Sequence, residues 1–190
     1  MSLRIKAILR VFGAVTALSA LIILPSLLLA LLWRESTVLP FLAAMLPPLL
    51  VGGLLWFAFR NNHYELRLRE GFLITAGIWV IAGLVNAVPF FLALPGLSFT
   101  DAVFESISGL TTTGATMLTG LDALPKSLLF FRASLNFSGG MGIVILAVAV
   151  LPMLKIGGMQ LFKAESTGPV KDNKLAPRIA ETARMLWVVY

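Results

Sequence analysis

The sequence predicts an all-α integral membrane protein, and three observations lead to that fold class. Of its 190 residues, 58% are hydrophobic and only 13% are charged, whereas about a quarter of the residues in a soluble domain are charged. The charges form short clusters that separate long uncharged stretches. Cysteine is absent and histidine occurs once, which excludes disulfides, cysteine-ligated zinc and thiol catalysis. The net charge of +6 suits membrane topology, and no nucleic-acid partner is expected.

Four uncharged stretches are long enough to be membrane spans, because about 20 residues of helix cross a hydrocarbon core of roughly 30 Å. Pro47 and Pro48 are expected to kink the second span. The third is expected to end near Pro89 or Pro95. In chain order the spans lie at 11–33, at 36–59, within 71–100 and at roughly 133–154.

Basic residues orient these spans. With the N-terminus in the cytoplasm, 12 of the 15 lysines and arginines lie on the cytoplasmic side. Only Arg34, Lys126 and Arg132 lie outside. The excess of positive charge on cytoplasmic loops therefore predicts an N-terminus inside the cell.

The spans divide the chain into four parts. Two leading transmembrane helices occupy 1–70, and a helix–loop–helix repeat occupies 71–155. A polar cytoplasmic loop follows at 156–184, and 185–190 begins a further span. Because the apolar stretch after Arg184 continues to the last residue, we expect the sequence to be the N-terminal part of a longer chain.

The loop between the third and fourth spans contains a predicted re-entrant helix. Ser98 and Asp101 have the spacing of a capping box, which predicts a helix start. Phe104 and Ile107 then share one face. A helix of about 10 to 12 residues is roughly 15–18 Å long and reaches halfway across the bilayer. Its C-terminal end, with partial negative charge, would favour a cation.

Residues 111–116 follow this helix and predict an extended backbone. Three successive threonines are β-branched, and Gly114 permits unusual dihedral angles. Carbonyl oxygens that are unpaired at membrane depth must line a watered cavity, where they are suited to replace the water shell of K⁺. The segment fits the Thr-x-Gly-x-x form of a potassium filter, with Ala115 and Thr116 in place of the usual Tyr and Gly. The alternative is an ordinary threonine-rich outer loop.

The candidate ligands are backbone carbonyls rather than side chains. Thr112 and Thr113 are the leading K⁺-coordinating residues, and the neighbouring and supporting positions are Thr111, Gly114, Ala115 and Thr116. K⁺ is the ion that such a segment is expected to carry, and no covalently bound cofactor is expected.

Two acidic residues of the re-entrant helix have competing interpretations. Glu105 lies at membrane depth, where charged residues usually serve function; a structural carboxylate paired with Arg132 is about equally supported. Asp101 is assigned to the helix cap rather than to an ion site.

The segment 108–116 resembles the first pore loop of the Trk-type bacterial potassium uptake proteins, the TrkH/TrkG family. The likeness covers the whole chain, weakly in the first two spans and strongly after Asp101. It continues through five further motifs, at 139–143, 151–154, 157–161, 168–172 and 177–183.

The resemblance implies a potassium-channel-like, pseudo-fourfold architecture. In such a protein two leading helices precede four helix–pore loop–helix repeats, of which this sequence contains the first. It also implies potassium uptake across the bacterial inner membrane, a homodimer of full-length chains, and a cytosolic nucleotide-binding subunit (TrkA-like). That subunit would dock on the basic cytoplasmic face, whose residues also suit anionic lipid headgroups and are Pro169, Lys171, Asp172, Lys174 and Arg178.

Two other functions fit the residues. One pore loop is a quarter of a filter, so the chain would conduct alone only as a small homotetrameric cation channel. A non-conducting accessory subunit is the second alternative. No enzymatic activity is expected, because the sequence offers no nucleophile–base or metal constellation. Reading the gene past Tyr190 separates the four-repeat chain from the homotetrameric channel, because three further Thr-x-Gly segments would favour the four-repeat chain.

Gly114 gives the first testable prediction. Gly114→Ser should relax K⁺/Na⁺ selectivity or lower K⁺ affinity, because a side chain restricts the backbone that presents the carbonyls. Ion selectivity in an uptake assay measures this effect. Unchanged selectivity would argue against the filter assignment.

Overall fold

A computed structural model describes residues 3–61, 68–153, 185 and 188–189, and the elements within them are helical. Six α-helices and one short 3-10 helix follow each other in the described ranges: α1 (Leu3–Leu21), α2 (Leu24–Trp33), α3 (Val38–Phe59), α4 (Leu68–Ala93), α5 (Phe99–Leu110), the 3-10 helix (Leu121–Ala123) and α6 (Lys126–Met153). The chain forms two compact units, Met1–Phe137 and Ser138–Tyr190. In the second unit residues 138–153, 185, 188 and 189 are helical.

Three stretches of the described chain are long and apolar enough to cross a membrane: Ile5–Trp33, Val38–Phe59 and Leu73–Ala93. They correspond to the first three predicted spans. The fourth predicted span lies in α6, whose backbone is helical to Met153 but whose side chains are described only as far as Gly142. The predicted cytoplasmic loop at 156–184 and its basic face lie outside the described residues.

Prolines account for the places where the structure refines the predicted spans. The first span is divided into α1 and α2 at a turn just before Pro25, which occupies the first turn of α2. Proline has no N–H to donate and clashes with the carbonyl four residues earlier, which favours a break here, whereas α3 continues through Pro47 and Pro48. Pro89 lies inside α4, which continues to Ala93 and ends two residues before Pro95. Pro95, rather than Pro89, marks the end of the third span.

Glycines let the leading helices approach closely. A Cβ atom on Gly52 of α3 would lie 2.6 Å from the carbonyl oxygen of Gly13 and from the backbone nitrogen of Ala17, both on α1. Such distances are shorter than van der Waals contact, so only glycine permits this crossing. Small residues serve the same purpose at other helix interfaces in membranes.

Three aromatic side chains join the helices that surround the predicted re-entrant helix. Phe41 of α3, Phe90 of α4 and Phe131 of α6 are fully buried. The ring centroid of Phe131 lies 5.7 Å from that of Phe41 and 5.2 Å from that of Phe90. Both distances are within the range of favourable aromatic pairs. This cluster fixes the first part of α6 against α3 and α4.

Glu35, in the turn between α2 and α3, caps the N-terminus of α6. Its carboxylate accepts the backbone N–H groups of Lys126 (3.0 Å) and Ser127 (3.1 Å), and it also accepts the hydroxyl of Ser127. The hydroxyl groups of Thr37 and Ser127 are 2.8 Å apart. A carboxylate at a helix N-terminus satisfies free N–H groups and complements the helix dipole. The turn between α2 and α3 therefore contacts the start of α6.

The cap makes the carboxyl of Glu35 more acidic. Burial raises its pKa, but hydrogen bonds from the side chain and backbone of Ser127, from the Lys126 N–H and from Thr37 outweigh burial. The net pKa lies below the ordinary value of a glutamate. Because the folded pKa is depressed, the stabilisation is present above the unfolded pKa of about 4.3 and is lost as pH falls through the folded pKa.

Glu35→Gln should therefore lower the melting temperature at pH 7 and have a smaller effect below about pH 4. The expected loss at pH 7 is about 1 kcal/mol, the usual contribution of a helix cap. Thermal unfolding in detergent at both pH values measures it. Asp122→Asn, which changes an exposed acid on the 3-10 helix, is the matched control. Equal melting temperatures of Glu35→Gln and the unsubstituted protein at pH 7 would contradict the capping role.

Candidate filter segment

Helix α5 is the predicted re-entrant helix, and its start is the predicted cap. Ser98 is the N-cap residue with an extended backbone. Its hydroxyl oxygen accepts the backbone N–H of Asp101 at 3.1 Å and donates to the Asp101 carboxylate at 2.7 Å. Asp101 is thus the third residue of the helix and belongs to the cap. The 12-residue length of α5 agrees with the predicted half-span.

The buried face of α5 combines small residues and polar residues with one large apolar residue, Leu110. Ala102, Glu105, Ser106 and Gly109 are among its buried residues, whereas Phe104 and Ile107 are 44% and 43% exposed. A Cβ atom on Gly109 would lie 3.0 Å from the Cβ atom of Leu135 on α6. The small residues therefore allow α5 to pack closely against α6, and they place Glu105 between the two helices.

The end of α5 is a Schellman motif with threonine in the position usually occupied by glycine. The N–H of Thr112 donates to the carbonyl of Gly109 (2.9 Å), and the N–H of Thr113 donates to the carbonyl of Ser108 (3.0 Å). Thr112 has φ = 56°, which is the left-handed conformation the motif requires. A β-branched residue rarely adopts it. The sequence did not predict this conformation, because local propensity favours an extended threonine.

This motif changes the expected role of the helix end. The carbonyl oxygens of Ile107, Ser108 and Gly109 already accept hydrogen bonds from residues 111–114. A cation at this end would therefore meet the carbonyls of the following segment before those of the last helical turn. The aligned peptide dipoles still favour positive charge there.

The filter segment, defined here as residues 111–116, is exposed throughout. Its first four N–H groups all donate to carbonyls of α5, at 2.8–3.4 Å. Within the described ranges, the carbonyl oxygens of Thr111, Thr112 and Thr113 accept no hydrogen bond. The first half of the segment thus presents acceptors without donors, which is the requirement of a cation site rather than an anion site.

The second half of the segment differs, because protein donors reach its carbonyls. The Ser108 hydroxyl donates to the Ala115 carbonyl at 2.7 Å. A guanidinium nitrogen of Arg132 lies 3.4 Å from the Gly114 carbonyl oxygen. Gly114 has φ = +75°, a conformation in which a side chain is strained. A carbonyl oxygen has two lone pairs, so these contacts leave one acceptor site on each oxygen.

Glu105 joins the filter segment to both helices. It is 1% exposed and accepts the Thr116 hydroxyl (2.9 Å) and the Met117 N–H (3.1 Å) through Oε2. Its other oxygen accepts the Arg132 Nε–H in an ion pair. The pairing of Glu105 with Arg132 was the structural interpretation of this carboxylate, and it is present. Thr116 contacts the same carboxylate, and the spacing of the sequence did not predict that contact.

Thr112 supplies a prediction about stability. Thr112→Gly should raise the melting temperature, because glycine adopts φ = 56° without the left-handed penalty of about 1–2 kcal/mol. Thr112→Val keeps the β-branch and should give no gain. Thermal unfolding of the two variants in detergent compares them. A destabilised Thr112→Gly protein would contradict the left-handed conformation.

Known proteins resemble this chain over nearly all of its length. A family model described as a cation transport protein, TrkH, matches residues 40–190. The Trk system potassium uptake protein TrkH of Vibrio parahaemolyticus is 49% identical over 99% of this chain. The TrkH protein of Escherichia coli K12 is 51% identical over 97% of the chain, and the TrkG protein of that organism is 38% identical over 98%. The chain spans about 39% of the length of these relatives.

A solved structure also resembles this chain. The crystal structure of the potassium transporter TrkH from Vibrio parahaemolyticus matches with a TM-score of 0.80 and 43% identity. The match covers 98% of this chain and 36% of that one. The predicted all-α integral membrane architecture is thereby confirmed, and the chain is a membrane protein. With the family model matching most of its residues, the chain belongs to the TrkH family of cation transport proteins.

Proposed function

We propose that this chain supplies one quadrant of a K⁺ filter in a Trk-type potassium uptake system of the bacterial inner membrane. One observation carries the proposal: the backbone at Thr111, Thr112 and Thr113 has its N–H groups bound within the protein and its carbonyl oxygens free among the described residues. Such oxygens suit a cation that has lost its water shell. The relatives are named as potassium uptake proteins, which supports K⁺ as that cation.

The five proposed ligands act in two groups. Thr112 and Thr113, with Thr111 beside them, offer carbonyls that accept no hydrogen bond from the described residues and are open to an ion. Gly114 and Ala115 offer carbonyls that are already oriented by Arg132 and Ser108. Glu105 and Thr116 stabilise the segment and are not themselves ligands. The role proposed for the protein is transport, and the passage of K⁺ would be driven by membrane potential, worth about 2.3 kcal/mol per charge per 100 mV.

The partners of the whole protein are part of the same proposal. The family resemblance supports a homodimer of full-length chains and a TrkA-like cytosolic subunit, with the N-terminus of this chain in the cytoplasm. The distribution of basic residues supports that orientation. The four-part division at residues 70, 155 and 184 belongs to the proposal as well.

Expression from the complete gene in a bacterial strain that lacks potassium uptake tests the proposal. Growth at low K⁺ should be restored, and Rb⁺ should be taken up in competition with K⁺. The matched control is Arg34→Gln, which removes a charge in the turn between α2 and α3 and should leave uptake unchanged. Expression without rescue would contradict uptake and favour an accessory subunit.

A second experiment separates the one-quadrant interpretation from a homotetramer. The 190-residue chain alone should reach the membrane without carrying Rb⁺, because a closed filter ring needs four pore loops. In a chimera that replaces the matching segment of the Escherichia coli TrkH protein, the same chain should support uptake. Rb⁺ uptake by the 190-residue chain alone would favour the homotetrameric channel.

A further inference from the structure

Arg132 is the one cation found beside the filter segment in the part of the chain that the structure describes. It lies on α6, and its side chain is 22% exposed. One guanidinium nitrogen, Nε, is anchored on Glu105, and a second, Nη2, lies 3.4 Å from the Gly114 carbonyl oxygen. The planar guanidinium presents several N–H donors in a rigid arrangement. The direction of the Gly114 contact is therefore set by the bond to Glu105.

Glu105 also holds the chain on the far side of Gly114. Its carboxylate binds the hydroxyl of Thr116 and the N–H of Met117. The filter segment is thus fixed at Gly114 through Arg132 and at Thr116 through Glu105, and the two anchors share one ion pair.

The ion pair also sets the charge next to the filter. An unbalanced guanidinium beside a carbonyl that binds K⁺ would repel the ion, and it would compete for the same oxygen. Glu105, which is 1% exposed, carries the opposite charge at hydrogen-bond distance, so the pair adds little net charge. A buried carboxylate in turn needs this partner, because an unpaired buried charge is strongly destabilising.

We propose that Arg132 is a positioning residue for ion selection, which holds the Gly114 carbonyl in place while Glu105 anchors its guanidinium and cancels its charge. This inference rests on the proposed function, since it requires ions to pass the filter segment. It assigns two separable effects to one ion pair: the geometry at Gly114 sets selectivity between ions, and the charge balance sets affinity for every monovalent cation.

The test uses the protein expressed from its complete gene in the uptake-deficient strain, with Rb⁺ and Na⁺ uptake as the readouts. Arg132→Lys keeps the positive charge but loses the rigid arrangement of donors. It should lower the Rb⁺/Na⁺ uptake ratio about tenfold, as expected for loss of one charge-assisted hydrogen bond. Its apparent affinity for Rb⁺ should stay near that of the unsubstituted protein. Arg132→Gln should lower the ratio similarly.

Glu105→Gln should act differently. It leaves the guanidinium unbalanced and should raise the half-saturating concentration of K⁺ and Rb⁺ by a similar factor. In the double variant Glu105→Gln/Arg132→Gln this loss of affinity should largely disappear, because no net charge remains. A double-mutant cycle of this kind isolates the coupling between the two residues. Additive losses of affinity would overturn the charge-balance part of the inference.

Membrane abundance and elution in detergent show which variants fold. If Arg132→Gln does not accumulate, Arg132→Lys decides, because it leaves no buried carboxylate without a cation. If the unsubstituted protein is selective and Arg132→Lys has the same Rb⁺/Na⁺ uptake ratio, the positioning role is overturned. The proposed function then remains intact. Absence of K⁺ and Rb⁺ uptake by the unsubstituted protein would overturn both.

Discussion

The hydrogen bonds of the backbone after α5 are the constraint on which the candidate site depends. At membrane depth each N–H and carbonyl group needs a partner or a watered cavity. The first four N–H groups of the filter segment return to carbonyls of α5. Three consecutive carbonyl oxygens then remain, and in the described chain they have no protein donor. The segment is consequently an array of acceptors, and only a cation or water is a suitable partner.

This arrangement requires strain and support. Thr112 adopts a left-handed conformation that a β-branched residue avoids, and strained backbone of this kind is often found at functional sites. It persists because the Schellman bonds and the Glu105 network hold the residues before and after it. The buried carboxylate thus contributes to the shape of a site in which it has no contact with the proposed ion.

The leading helices help to hold the repeat in place. Glu35 caps α6 by accepting the N–H groups of Lys126 and Ser127, which lie 91 and 92 positions later in the sequence. Phe41 packs against Phe131. Both contacts hold the part of α6 that carries Arg132. Glu35 and Phe41 therefore contribute to the position of the guanidinium beside Gly114, although neither lies in the filter segment.

The sequence by itself determined the helical membrane class, the cap at Ser98, the half-span length of α5 and the Thr-x-Gly segment. All of these depend on composition or on residues three to four positions apart, where local physics is sufficient. The tertiary structure alone decided the partners of Glu35 and the approach of Thr116 to Glu105. It also paired Glu105 with Arg132. Those features depend on packing between helices distant in sequence. This packing brings a buried carboxylate, a guanidinium and a strained backbone together, and no local pattern specifies it.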